Sequence, residues 1–261
     1  MREMHLLPES EEAEMNDFLI ELQSGVHTFE LSQTLTKKQF AAILNCCHIR
    51  GRLIHNEGQK ESYVLLDKSV PGVTVTLYPI RSRKTYRVNI KIEPCRVLGS
   101  DDPTALYRYS KKSYRKLREI CDPYLAGLHI PGGIDTMAIS RCDLTCNLVF
   151  TNQDYVDAYL RILKKSRLIP DYRAVKFSKY EKKAKDPKRA NEHSHCIRCS
   201  QAAFLCYDKM DQLKMIGRWT EGLAEYSVLR LEAQLKRPVL KRQLGKEAME
   251  NNVFLLKAGT A

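Results

Sequence analysis

The sequence lacks any uninterrupted run of about 18 apolar residues, the shortest run that spans a membrane as a helix. Its first segment, Met1 to Glu14, is acidic and lacks the basic-then-apolar order of a secretory signal. No segment repeats elsewhere in the sequence. Hydrophobic residues make up 43% of the 261 residues and charged residues 28%, which is typical of a soluble globular protein. We therefore expect a cytoplasmic protein with no membrane partner.

The cysteines show no sign of a disulfide framework. There are nine, an odd number, in a sequence without an export signal, so we expect reduced thiols that act mostly as small core residues. Cys196 and Cys199 follow His193 and His195, which hints at zinc. The two cysteines would point to opposite faces of a strand, however, and a second Cys pair is missing. A structural zinc site is therefore not favoured.

Acidic residues do not balance the basic ones. The formal net charge is +12, and residues 2–21 hold one base against seven acids whereas residues 161–189 hold twelve bases against three acids. Clustered Lys and Arg displace condensed counterions from phosphate backbones, so this pattern favours a polyanionic partner. A solvated basic surface without a partner is the alternative.

Patterns in residues 28–130 predict the order strand, helix, strand, strand. Thr28 to Leu31 reads as a short strand, and Thr36 to Gln39 reads as a capping box that begins a helix. Alternating apolar residues predict two strands, at 73–77 and 86–92. A second helix is expected to open at Asp101-Asp102-Pro103.

A Pro-Gly-Gly loop within Leu128 to Asp135 predicts a boundary, after which residues 131–240 form a second half with a similar order of elements. Strands are expected at 138–150, 193–200, 202–209 and 226–237, with a helix at 154–167. Residues 1–27 form an acidic N-terminal segment, and 241–261 form a C-terminal tail. The predicted fold class is α+β. In each of two similar halves, helices pack on one face of an antiparallel sheet and the other face is open for DNA.

The predicted second helix mixes basic residues with the aromatic residues Tyr107, Tyr109 and Tyr114, a combination that suits nucleic-acid backbones and bases. A solvated helix face is the alternative reading. A second basic cluster lies in the Lys-rich stretch that follows residue 178. The DNA-binding candidates in these two segments are Arg108, Lys111, Lys112, Arg115, Lys182 and Lys183.

Alternation of side chains between strand faces collects polar residues on one face of the predicted sheet. In the 138–150 strand, the polar face lies opposite a face of cysteine, leucine and phenylalanine. The 226–237 strand has the same division, and the 202–209 strand presents a tyrosine and a lysine together. If these strands are neighbours, one surface gathers Arg141, Asp143, Tyr207, Lys209, Arg230 and Glu232.

Such a surface suits transesterification of a phosphodiester. Asp143 and Glu232 can hold a hard divalent cation through oxygen ligands, and Tyr207 can supply a phenolate nucleophile. Lys209 or an arginine can stabilise the charge that develops on the phosphoryl group. His195 is a further candidate metal ligand, because histidines two residues apart share a strand face. Surface ion pairs and ordinary packing are the alternatives for these residues.

Four short motifs occur in a fixed order between residues 28 and 240. They are Val88 to Gly99, Ile139 to Thr145 with Arg141-Cys-Asp143, Ala203 to Lys209 with Tyr207-Asp-Lys209, and Val228 to Arg237 with Arg230-Leu-Glu232. In order and spacing, this set resembles the replication initiation protein family typified by the gene II protein of filamentous phages. That family is related to the initiators and relaxases of Gram-positive rolling-circle plasmids and conjugative elements.

The resemblance implies a DNA-nicking enzyme. Tyr207 would attack the scissile phosphate and keep the 5′ end as a phosphotyrosine, and the freed 3′-hydroxyl would prime a polymerase. Asp143 and Glu232 would bind Mg²⁺ or Mn²⁺, and Lys209 would assist Tyr207 or the transition state. The implied substrate is single-stranded or supercoiled origin DNA, with a host helicase and polymerase as partners. The residues that would position phosphates, or orient the two acids, are Arg141 and Arg230.

One departure and three alternatives accompany this interpretation. Asn147 stands near the place where plasmid-type relatives carry a second acid, so the number of metal ligands stays open. A relaxase for conjugative mobilisation would share the chemistry, and a non-catalytic origin-binding protein would share the fold without needing Tyr207. An RNA-binding protein with ferredoxin-like halves is the third alternative, but no strand has the aromatic content of the RNA-recognition type.

Overall fold

The computed structural model describes residues 19–50, 52–56, 61–67, 69–80, 85–166, 171–174, 193–223 and 225–250. Helices and antiparallel strands are both present, so the predicted α+β class is confirmed. The chain divides into two compact units, each made of two separate stretches. Unit 1 comprises Met1–Ser24 and Thr145–Ala233, and unit 2 comprises Gly25–Leu144 and Gln234–Ala261.

Three strands run from one unit into the other. They are β1 (Leu19–Leu35), β6 (Ala138–Phe150) and β10 (Ser227–Lys236). The bounds of β6 are those that the sequence predicts, and polar and apolar residues alternate from Arg141 to Leu148 within it.

Unit 2 contains four further strands, β2 (Arg52–Asn56), β3 (Ser62–Leu66), β4 (Val73–Ile80) and β5 (Thr85–Ile92). Their order in the sheet is β2, β3, β4, β5, β1, β6, and each pairing from β2 to β1 is antiparallel. The sequence predicts β4 and β5 but not the two short strands before them. Apolar residues from one face of this sheet fill the largest core, among them Leu31, Val75 and Ile90.

Side-chain caps set the start of two helices of unit 2. Helix α1 (Lys37–Arg50) follows the predicted capping box, in which the backbone N–H of Gln39 donates to Thr36 Oγ1 over 3.2 Å and that of Thr36 donates to Gln39 Oε1 over 2.9 Å. A short helix, α2 (Pro94–Val97), follows β5. At the C-terminal end, α6 (Arg237–Glu250) follows β10.

The prediction of a helix from Asp101 is wrong. Helix α3 (Lys111–Gly127) begins later, after Ser110, whose side chain accepts a hydrogen bond from the backbone N–H of Ser113 over 3.0 Å. The side chain of Ser113 accepts from the backbone of Ser110 in return, so this reciprocal capping box sets the start of the helix. The segment at Asp101 is a turn, in which Asp102 accepts from the backbone N–H of Thr104.

In unit 1 the strand order is β6, β10, β9 (Ala202–Asp208), β8 (Ser194–Arg198), β7 (Arg173–Ala174). Helix α4 (Gln153–Lys165) packs on β8 and β9, and its start is capped by Asn152. A second helix, α5 (Lys209–Met215), follows β9 directly.

Unit 1 has a small core on each face of its sheet. Phe150 and Leu229 pack with residues of α4, whereas the adjacent residues Val149 and Val228 pack with residues of α5. Neighbouring residues of a strand point to opposite faces, so the α5 core lies on the same face as Asn147. Part of the polar face, which the sequence predicts to be open, is therefore covered.

Three further predictions concern the chain as a whole. All nine cysteines lie in the described residues and are free thiols, as expected. No described helix is both long enough and apolar enough to cross a membrane. The Pro-Gly-Gly loop lies within unit 2, so the predicted division into 28–130 and 131–240 does not coincide with the two units. That division, and the similarity of the halves, stay predictions.

Candidate active site

Tyr207 lies near the end of β9, opposite Ser194 of β8, and its side chain is almost fully buried, with 7% of the residue exposed. The phenolic Oη donates a hydrogen bond to Oε2 of Glu232 over 3.3 Å. Glu232 lies on β10 and is also buried. The predicted Tyr-x-Lys and Arg-x-Glu motifs therefore meet at these two side chains, within unit 1.

Arg230 lies two residues before Glu232 on β10 and has no exposed surface. Its Nε donates to Asn147 Oδ1 over 2.8 Å, and Asn147 Nδ2 donates to Gln23 Oε1 over 3.2 Å. The guanidinium is also close enough to the Tyr207 phenol to act on its pKa. A buried charge is stable only with hydrogen-bond partners and an opposite charge. Asn147 supplies an acceptor here, and Glu232 on the same strand face supplies the negative charge.

The phenol of Tyr207 is held in its neutral form. Burial raises its pKa above the usual value, and the negative charge of Glu232 raises it further, whereas the positive charge of Arg230 partly offsets both effects. A hydroxyl with a raised pKa becomes a nucleophile only when a base takes its proton during the reaction. Glu232 is placed to be that base.

The raised pKa of Tyr207 predicts a loss of stability at alkaline pH. A tyrosine in the unfolded protein has a pKa near 10. The free energy of unfolding therefore contains the full contribution of the neutral phenol below about pH 10, and this contribution is lost as the pH rises towards the higher pKa of the folded protein. We expect Tyr207→Phe to remove up to about 1.4 kcal/mol of this loss per pH unit. Chemical denaturation of both proteins from about pH 9 to pH 11.5 measures it. If the free energy of unfolding fell equally with pH in both proteins, the assignment of the raised pKa to Tyr207 would be contradicted.

In unit 2, Arg141 and Asp143 of β6 form a bidentate ion pair. Nε and Nη2 of Arg141 donate to the two carboxylate oxygens of Asp143, each over 2.6 Å, and Nη1 donates to Glu30 Oε1 over 3.2 Å. Asp143 is only 2% exposed. The predicted Arg-x-Asp motif is thus a buried carboxylate held by a partly exposed guanidinium, within unit 2.

The carboxylates predicted to bind a divalent cation do not form a ready metal site. Both oxygens of Asp143 accept hydrogen bonds from Arg141, and Oε2 of Glu232 accepts one from Tyr207. Among the residues that the structure describes, no group of three or more His, Cys, Asp or Glu side chains is placed to hold a metal ion. The residues as arranged do not fit a bound Mg²⁺ or Mn²⁺, so we derive no reaction step through a cation.

We expect the replacement Arg141→Met to lower the free energy of unfolding by about 2–3 kcal/mol, because Asp143 would keep its buried charge without its bidentate partner. Urea denaturation measures this effect. The double variant with Asp143→Asn is expected to recover part of the loss, since the buried charge is then removed. Arg87→Met, an exposed arginine of β5 in the same unit, is the matched control, with an expected change within about 0.5 kcal/mol. An equal loss in both single variants would contradict the role of the ion pair.

Lys209 does not share a strand face with Tyr207, contrary to the prediction. The strand ends at Asp208, whose side chain accepts from the backbone N–H of Asp211 over 3.0 Å and so caps α5. Lys209 is therefore the first helical residue. It is buried, and its Nζ donates to Gln212 Oε1 over 2.8 Å. The prediction fails because a capping aspartate ends the strand one residue before the lysine.

His195 lies on the opposite face of the sheet from Tyr207. The register pairs His195 with Cys206 and Ser194 with Tyr207, and residues directly opposite each other share a face. Cys206 belongs to the core that packs against α4. Burial, and then the nearby charge of Lys164, lower the pKa of His195. The structure therefore does not bring His195 to the Tyr207 and Glu232 pair.

The basic residues predicted to contact DNA from the second helix have exposed side chains at or just before the start of α3, in unit 2. These cations are therefore accessible to a phosphate backbone. The predicted pair Lys182 and Lys183 lies outside the described residues. The four accessible residues are Arg108, Lys111, Lys112 and Arg115.

Two of the three tyrosines interleaved with these cations are not part of a stacking surface. Tyr107 and Tyr114 are buried, at 2% and 6% exposure. The phenol of Tyr114 donates to Asp135, and Tyr107 Oη accepts from Ser113 Oγ over 3.2 Å. Both rings therefore belong to the core of unit 2 and not to a surface that bases would contact.

Sequence reasoning missed Gln23 as a member of the Tyr207 network. The sequence predicts a first strand from Thr28 and places Gln23 in the acidic N-terminal segment, whereas β1 begins at Leu19 and includes Gln23. Asn147, which stands near the place of a second acid in plasmid-type relatives, forms hydrogen bonds with Arg230 and Gln23 and so links three strands of the network.

Comparison with protein-family models finds no match to this sequence, and comparison with curated proteins finds none either. The candidate site is therefore interpreted from its own geometry. The resemblance to replication initiators stays a prediction.

Proposed function

We propose that the protein nicks one DNA strand by tyrosine transesterification and so initiates rolling-circle replication. The observation that supports this most directly is the hydrogen bond from Tyr207 to Glu232 beside the buried guanidinium of Arg230. A nucleophile, a proton acceptor and a positive charge are the groups that attack on a phosphodiester needs. The proposed substrate is single-stranded or supercoiled origin DNA, with a host helicase and polymerase as partners.

In the proposed step, Glu232 takes the phenolic proton as Tyr207 Oη attacks the scissile phosphorus. The new bond joins Oη to phosphorus, and the bond between phosphorus and the 3′-oxygen breaks. The 3′-oxygen takes a proton from water and leaves as a 3′-hydroxyl, while the 5′-phosphate stays esterified to Tyr207. Arg230 stabilises the negative charge that grows on the phosphoryl oxygens. The dependence of the nicking rate on Mg²⁺ or Mn²⁺ is to be measured.

Access to Tyr207 is part of the proposal. Because the tyrosine is buried, the DNA strand must displace the side chains that cover the polar face before the phosphate reaches Oη. The polar face would then be open only when DNA is bound to the protein. Phosphate contacts on unit 2 are assigned to the exposed cations at the start of α3.

A cleavage assay with the unaltered protein tests the function. The protein is incubated with labelled single-stranded DNA that includes the candidate origin from the surrounding genome, with Mg²⁺, Mn²⁺ or EDTA. We expect a covalent protein–DNA adduct, and the comparison of the three conditions measures whether its formation requires Mg²⁺ or Mn²⁺. Peptide mapping should place the nucleotide on Tyr207. An adduct on another tyrosine would contradict the assigned nucleophile, and tight binding of the origin without any adduct would contradict nicking.

DNA binding through phosphates predicts a strong dependence on salt. Each neutralised phosphate contributes about 0.7–0.9 to the slope of log K against log salt concentration. We expect the triple replacement Lys111→Gln, Lys112→Gln, Arg115→Gln to reduce this slope by about 2–3, measured by fluorescence anisotropy. Replacing the exposed Lys37 and Lys38 of α1 with Gln is the control in the same unit. A slope unchanged by the triple replacement would exclude α3 as the contact surface.

A non-catalytic origin-binding protein is the second candidate. The burial of Tyr207, Glu232 and Arg230, each held by hydrogen bonds, favours it, because a purely structural network would have the same contacts. A relaxase would share the nicking chemistry. Conjugal transfer of a plasmid that carries the nicked site separates a relaxase from a replication initiator.

A further inference from the structure

A cavity of about 370 Å³ lies in unit 1, at the end of β9. Asp208 lines it together with Gln153 of α4 and His193, which precedes β8. Trp219 and Tyr226 line it from the segment between α5 and β10. The volume falls within the range of about 300–1,000 Å³ that is typical of small-molecule sites. The cavity contains no residue of the Tyr207 network.

Two aromatic rings and a lysine are among the residues that line the cavity. Trp219 is partly buried, and Tyr226 is 45% exposed, so its ring is accessible from solvent. The ammonium group of Lys214 lies 5.5 Å from the centre of the Trp219 ring. Aromatic side chains next to a cation are the groups that bind single-stranded nucleic acids, because bases stack on the rings and phosphates pair with the cation.

Two carboxylates also line the cavity, those of Asp208 and Asp211. Asp208 is already engaged, since Oδ2 accepts from Gln153 Nε2 over 2.8 Å and Oδ1 accepts from the backbone N–H of Asp211. Oδ2 of Asp211 is buried and has no hydrogen-bond partner within the described part of the chain. A carboxylate repels a phosphate but accepts hydrogen bonds from the exocyclic amine of a base. Thymine has no such amine.

We propose that this cavity holds one amine-bearing base of a single DNA strand, with the ring against Trp219 or Tyr226 and the amine near Asp211. The inference rests on the proposed function, since it assumes that unit 1 binds a single strand. Asp208 directly follows Tyr207, so the base pocket begins one residue from the proposed nucleophile. A base held there would fix which phosphate reaches Tyr207 and so select the nicking position.

Trp219 is the only tryptophan of the protein, so its emission reports on this cavity alone. The full-length protein is titrated with oligodeoxycytidylate, oligodeoxyadenylate and oligothymidylate of about 12 nucleotides, a length near the site size of single-strand-binding domains. We expect saturable quenching of Trp219 emission by the first two and a weaker response to oligothymidylate. Deoxycytidine monophosphate is titrated in parallel. If it bound as tightly as the oligonucleotide, the cavity would be a site for free nucleotides, and the assignment to a strand would be overturned.

Two variants measure the contributions of the ring and the carboxylate. Tyr226→Leu is expected to weaken binding of labelled oligodeoxycytidylate by about 5-fold or more, as loss of a stacking partner does. Asp211→Asn is expected to remove the preference for cytosine over thymine while leaving thymine binding unchanged. Asp154→Asn, an exposed acid of α4 outside the cavity, is the matched control and should bind as the unaltered protein does.

The outcomes separate this inference from the nicking proposal. Oligonucleotide binding by anisotropy with no change in Trp219 emission, and with normal affinity in both variants, would overturn the base pocket even if nicking at Tyr207 is observed. Quenching with the expected base preference, but without a covalent adduct, would support the pocket and contradict nicking. Absence of any binding by either method would overturn both.

Discussion

Tyr207→Phe is expected to abolish the covalent protein–DNA adduct, with a fall in the nicking rate of roughly 10³-fold or more, as the loss of a nucleophile causes in other enzymes. Phenylalanine keeps the ring packing of Tyr207 but has no oxygen to attack phosphorus. It also loses the hydrogen bond to Glu232, which we expect to cost about 1 kcal/mol of stability. Single-turnover reactions on origin DNA, resolved on denaturing gels, measure the rate.

A second tyrosine of the same unit provides the control. Tyr155 lies on α4 and is 37% exposed, so Tyr155→Phe tests whether any tyrosine replacement lowers nicking. We expect its rate to stay within about 2-fold of the unaltered protein, because surface replacements away from a site have small effects. Adduct formation by Tyr207→Phe at the normal rate would remove the central residue of the proposed function.

Arg230→Met is expected to lower the free energy of unfolding by about 3–5 kcal/mol, the cost of leaving one partner of a buried charged pair alone. Methionine matches much of the length of arginine but offers no donor. Asn147 would lose the 2.8 Å hydrogen bond from Nε, and the buried Glu232 would lose the nearest opposite charge on its strand face. Urea denaturation of the variant and the unaltered protein measures the effect, and we expect the two proteins to have the same m-value.

Arg198→Met is the matched control, because Arg198 is an exposed strand residue of the same unit. A change within about 0.5 kcal/mol is expected there. Adding Glu232→Gln to Arg230→Met should recover part of the lost stability, since the unpaired negative charge is then removed. If Arg230→Met were as stable as the control, the network would not depend on the buried guanidinium.

Local signals in the sequence were sufficient wherever a single pattern determines the element. The capping box at Thr36 sets the start of α1, and the alternation of polar and apolar residues from Arg141 to Leu148 identifies β6 as a strand. The contact between Arg141 and Asp143 also follows from sequence, because residues two apart on a strand share a face.

Competition between two signals explains why the position of Lys209 could not be predicted. Tyr207 to Lys209 continues a strand pattern, but Asp208 is also a good helix cap, and the cap determines the structure because it satisfies a backbone donor of α5. Burial of Arg230 was missed for a different reason. Alternation assigns a residue to a face of the sheet but does not show what packs on that face.

The discontinuous make-up of the two units bears on how the protein is synthesised. Strand β10 contributes to both units and lies beside β6 in the sheet, yet it is translated long after β6. At a translation rate of about 5–20 residues per second, the β6 edge stays without its later neighbour for several seconds while β7 to β9 emerge from the ribosome. An unpaired strand edge with apolar residues is prone to aggregate. The nascent protein should therefore depend on chaperones until the last part of its synthesis.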